Sequence, residues 1–91
     1  MKIIKMPAAE KHKPTDVLRA VCEVAVNGTV LSEMRHRLRI MDAIDASNGT
    51  MTLEDADHEF LVRLLGEFKF AVAHPDILAA CDAVLKAGTP D

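Results

Sequence analysis

The stretch Asn48-Gly49-Thr50-Met51-Thr52-Leu53-Glu54-Asp55-Ala56-Asp57-His58-Glu59-Phe60-Leu61 crowds oxygen-bearing side chains around a glycine just ahead of a helical pattern. The chemistry such a stretch suggests is calcium binding. A helix-loop-helix calcium loop needs oxygen ligands at positions 1, 3 and 5, glycine at 6 and a bidentate glutamate at 12. With Gly49 at position 6, Asn48 falls at 5, but Ala46 falls at 3, Ile44 at 1 and Asp55 at 12. With Asp45 at position 1, Ser47 falls at 3, but Gly49 falls at 5 and Ala56 at 12. Neither register supplies the ligands. The same residues read coherently as punctuation between helices: Asn48-Gly49 makes a left-handed turn, Thr52 with Asp55 forms a capping box, and Glu54, Asp55 and Asp57 answer the helix dipole.

Asp55, His58 and Glu59 share one face of the helix that follows, at i, i+3 and i+4, a spacing that serves metal binding or proton transfer. Opposite a Leu/Phe stripe, they read instead as a solvated polar face. His12, His36, His58 and His74 fall in separate elements, and neither H-E-x-x-H nor C-x-x-C occurs. Cys22 and Cys81 each sit within an apolar helical pattern and read as free thiols acting as small core hydrophobes. No serine or cysteine stands beside a candidate base, and no glycine-rich phosphate loop is present. The reading is of a protein without catalytic residues, metal or cofactor.

Composition narrows the partners. A 91-residue chain is one domain with a modest core. Its 49% hydrophobic content, with only Phe60, Phe68 and Phe70 as aromatics, points to an aliphatic core built by helix-on-helix packing. The formal charge of −3 argues against nucleic-acid binding. Arg35, Arg37 and Arg39 do not rescue it, because residues two apart on a helix point to different sides. The longest apolar runs fall far short of a membrane span, and the opening residues carry too short an apolar region for a secretory signal. A cytoplasmic location is the expectation.

The elements that position these residues follow from apolar spacing. Val17, Leu18, Val21, Cys22 and Ala25 predict a helix begun at Thr15-Asp16 and closed by Asn27-Gly28. A second helix is predicted from between Thr29 and Ser32 to about Ser47, with Met34, Leu38, Ile40, Met41 and Ile44 on its apolar face and a Glu33–Arg37 pair on its outer side. Ala56, Phe60, Leu61, Leu64, Leu65 and Phe68 mark a third. His74-Pro75-Asp76 opens a fourth, carrying Ile77, Leu78, Cys81, Val84 and Leu85 and ending at Gly88-Thr89-Pro90. The fold class is mainly α, a single-domain bundle of about four short helices, with a minor two-stranded element if Lys2–Met6 pairs with Thr50–Leu53. Residues 1–14 read as an N-terminal strand or mobile arm, 15–88 as the helical domain and 89–91 as a tail. On the arm reading, deleting residues 1–13 leaves the helical fold intact.

The run "LSEMRHRLRIMDAIDASNGTMTLEDADHEFLVRLL", residues 31–65, combines an arginine-rich helix, a short turn and "LEDAD" opening a leucine-rich helix. In this plan it resembles small virion-morphogenesis proteins of tailed bacteriophages and prophages. The resemblance implies a tail or head-to-tail assembly component acting through protein contacts, on a protein partner or on itself. The competing expectation is a small inhibitor or antitoxin-like regulator that blocks a larger host protein. Either role needs an exposed apolar surface, for which the candidates are Ile3, Ile4, Met6, Phe68, Phe70 and Val72.

Overall fold

The computed structural model describes residues 1–25 and 28–88. It is a mainly α domain in the order β1 (Lys2–Lys5), α1 (Pro14–Glu23), α2 (Leu31–Asp45), β2 (Thr50–Leu53), α3 (Asp55–Glu67) and α4 (Pro75–Leu85). The four helices and the N-terminal strand pairing match the expected architecture. Asn27 and residues 89–91, expected to close α1 and α4, lie outside the described residues.

The two strands pair antiparallel, with Ile3 opposite Thr52 and Ile4 opposite Met51. Alternation along the strands turns Ile4, Met51 and Leu53 inward, where each is buried. Strand β1 is flanked on its other side by the chain leaving α4: the Ile3 amide donates to the Gly88 carbonyl at 2.8 Å and the Gly88 amide returns to the Ile3 carbonyl at 3.3 Å. Both edges of β1 are therefore bonded at this point, and the strand is part of the core. Ile4 is fully buried within a cluster that includes Leu18, Val21, Ile40, Met51, Leu61 and Val84. Of the two expectations for residues 1–14, the strand is the one present, and removal of residues 1–13 would take Ile4 out of the core.

Asn48-Gly49 makes the turn between α2 and β2, with Gly49 at φ 77°, a conformation that favours a residue without Cβ. Thr52, however, lies in β2, and Glu54 occupies the N-cap of α3 without a side-chain cap. The capping box is therefore absent: the β-branched residues of Thr50–Leu53 found a strand partner in Lys2–Lys5, and tertiary pairing overrode the local signal.

Helix α1 ends at Glu23, before the Asn27-Gly28 expected to close it. Its last carbonyls are satisfied from another helix. Arg37 on α2 is buried, and its Nη1 donates to the Cys22 carbonyl at 2.9 Å and the Val21 carbonyl at 3.3 Å. The predicted outer-face Glu33–Arg37 pair is accordingly replaced: Arg37 turns inward and Glu33 binds Arg63 of α3 at 2.5 Å.

Candidate interaction surface

Two polar side chains of α3, His58 and Asp57, join it to neighbouring helices. On α3, His58 is half-buried and its Nε2 donates to the Val84 carbonyl of α4 at 2.8 Å, which corrects its placement on a solvated face. Asp57, on the first turn of α3, is buried against α2. Its carboxylate accepts from Arg39 Nε at 3.1 Å and Nη2 at 2.9 Å, and His36 Nδ1 lies 2.6 Å away. Burial alone raises the Asp57 pKa, but the hydrogen bonds from Arg39 and His36, with their charges, outweigh it and hold the carboxyl below its ordinary value. His36 stacks on Phe60 with ring centroids 5.0 Å apart. The arrangement clamps α2 to α3. Among the described residues, no three of His, Cys, Asp and Glu converge as metal ligands would. The suspected calcium loop is occupied instead by the turn at Gly49 and strand β2.

An exposed apolar surface lies along α4. Its first turn is well built. Pro75 occupies the first helical position, and the His74 Nδ1 accepts from the Asp76 amide at 3.0 Å. Asp76 in turn gathers the segment leading to α1: its Oδ2 accepts from the amides of Glu10, Lys11 and His12 at 3.1, 2.8 and 3.1 Å. Those bonds, led by Lys11 and His12, hold the carboxyl below its usual range. His12 also meets His74 edge-on, with centroids 4.8 Å apart.

Between α3 and α4 the chain becomes extended at Phe68, and Phe68 meets Phe70 edge-to-face at 4.8 Å. From Phe70 onward the chain lines a shallow groove of about 690 Å³ whose walls include Val72, Pro75, Ile77, Leu78 and Cys81. The walls are mostly apolar, with His74 among them. Val72 is 54% exposed and Leu78 63%. Helix α4 carries apolar residues on both sides: Ala80 and Val84 face the core, while Leu78 and Leu85 face outward. An isolated helix in water rarely keeps both faces apolar, and one that does is normally covered on both.

The six residues expected to form an apolar binding surface therefore separate. Exposed Val72 lines the groove, as does Phe70, which is partly buried and also packs on the core. Phe68 and Met6 are partly buried and pack on the core, and Ile3 is half-buried between β2 and Gly88. Ile4 is fully buried, which removes it from any surface. Cys81 departs from its expected core position and lines the groove, half-buried, whereas Cys22 is in the core as expected. Leu78, Cys81 and Leu85 lie together on the outer side of α4. Their i, i+3, i+7 spacing, set against Ala80 and Val84, is the signal that the helix has two apolar faces.

No family model, curated protein or solved structure matches this chain. Among the described residues, no helix is long and apolar enough to cross a membrane.

Proposed function

We propose that this protein is a non-enzymatic protein-binding domain whose α4 face, with the Phe70–Cys81 groove, is its contact surface. The observation that carries this reading is the outer apolar face of α4, with Leu78 at 63% and Leu85 at 56% exposure beside a groove lined by Phe70 and Val72. An exposed apolar patch of this kind is how soluble domains present a docking site. The resemblance of residues 31–65 to small virion-morphogenesis proteins supports the finer reading, a tail or head-to-tail assembly component working in a bacterial host cell or in the virion.

The test is native size. In lysates of the producing cell, the wild-type chain should elute in a complex well above 9.9 kDa, and a Leu78→Asp variant with unchanged circular dichroism should elute as the free chain. Identical elution of both at the free-chain size would refute the reading.

A further inference from the structure

Helix α2 also carries an outward apolar stripe. Leu31, Met34 and Leu38 are 65%, 42% and 51% exposed. They recur at i, i+3, i+7, beside the core-facing Arg37, Ile40 and Ile44. On α4, Leu78, Cys81 and Leu85 repeat the same spacing. Both triplets have the a-d-a pattern by which two helices interlock, and in each the residue directly after the middle member is charged. On α2 it is Arg35, and on α4 it is Asp82. Among the described residues neither has an oppositely charged partner within salt-bridge distance.

We infer that the α4 face of one copy receives the α2 stripe of a second copy, antiparallel, so that the chain assembles head to tail. This rests on the reading of α4 as a protein-binding surface and names its occupant. The register that stacks Leu38 on Cys81 and Met34 on Leu85 places Arg35 and Asp82 together between those two layers, opposite charges flanking an apolar seam. Like-with-like pairing lacks this match. Stacking Met34 on Leu38 between two α2 helices sets Arg35 beside Arg35, and stacking Cys81 on Leu85 between two α4 helices sets Asp82 beside Asp82. Charge thus selects the unlike pair. Helices α2 and α4 each pack on α1 and α3. Each copy joined through one seam therefore retains the other, and such a contact closes into a ring or extends as a chain.

Complementation of blocked variants tests this with the full-length protein. Leu38→Asp removes the stripe and Leu78→Asp removes the face that receives it, and both positions are exposed, so circular dichroism should match the wild type. By light scattering, the wild-type mass should rise with concentration above the monomer, each variant should stay at 9.9 kDa, and their equimolar mixture should form a dimer and nothing larger. Arg35→Asp should weaken assembly at least tenfold, and adding Asp82→Arg to the same chain should restore it. Assembly of Leu78→Asp alone would overturn the inference in favour of α2 self-pairing. A monomeric wild type at every concentration would also overturn it, yet would leave the α4 reading to be judged by native size in lysates.

Discussion

Arg37 caps a helix it does not belong to: its Nη1 donates to the Cys22 carbonyl at 2.9 Å, and the guanidinium carbon stands 5.8 Å from the Phe60 ring centroid. One buried cation thereby closes α1 from α2 while resting near α3. Arg37→Met keeps the aliphatic stem but strands the carbonyls, a loss of about 2 kcal/mol for hydrogen bonds to a charged donor. The melting temperature followed by circular dichroism should drop by roughly 10 °C for a domain of this size.

Asp57 ties stability to acid. Its pKa is depressed in the folded protein, against about 3.9 for an unperturbed aspartate. Its contribution is therefore complete above pH ~4 and is lost as pH falls through the lower folded value. Asp57→Asn should destabilise the protein by about 2 kcal/mol at neutral pH, given that Arg39 is partly exposed to solvent. Urea unfolding across pH should show that the variant loses less stability than the wild type below pH ~4.

The N-terminal strand is structural. Ile4→Ala should cost about 2–5 kcal/mol, the range for emptying a buried aliphatic site, out of a total of about 5–15 kcal/mol. Deletion of residues 1–13 should leave a chain without a cooperative thermal transition. Asp76→Ala, which removes the acceptor shared by Glu10, Lys11 and His12, should speed hydrogen exchange at those three amides while the exchange of α3 amides stays unchanged.

The two thiols should separate by reactivity. Burial pushes the Cys22 thiol up to about 11, against the lowering effect of Arg37 and Arg19, and burial also raises Cys81. Cys81 is half-buried in the groove wall, while Cys22 is sealed in the core. A maleimide at neutral pH should modify Cys81 in the native state and Cys22 only after unfolding, as peptide mass spectrometry would report. Groove occupancy should protect Cys81.

The helices were legible because their apolar spacing is local: Phe60, Leu61 and Leu64 on α3 announce their own buried face. So was the opening of α4, where Pro75 and Asp76 state a helix start within three residues. What escaped was decided at long range. Arg37 looks like any exposed cation of α2 until α1 is docked against it. Thr52 looks like a cap until Lys2–Lys5 pairs beside it. Ile4 looks like an arm residue until Gly88 and Met51 bracket its strand. The exposed apolar face was half legible. Phe70 and Val72 were among the apolar candidates for an exposed surface, whereas the spacing on α4 does not say which of its two apolar sides, Ala80 with Val84 or Leu78 with Leu85, points inward.

The most direct test of the α4 face as a protein-binding surface is site-specific photo-crosslinking in the producing cell, with a photoreactive residue replacing Leu78 in one variant and the exposed Glu59 of α3 in another. Discrete higher-mass adducts from position 78, absent from position 59, are the expected result. Equal adduct yields from both positions, or none from position 78, would contradict it.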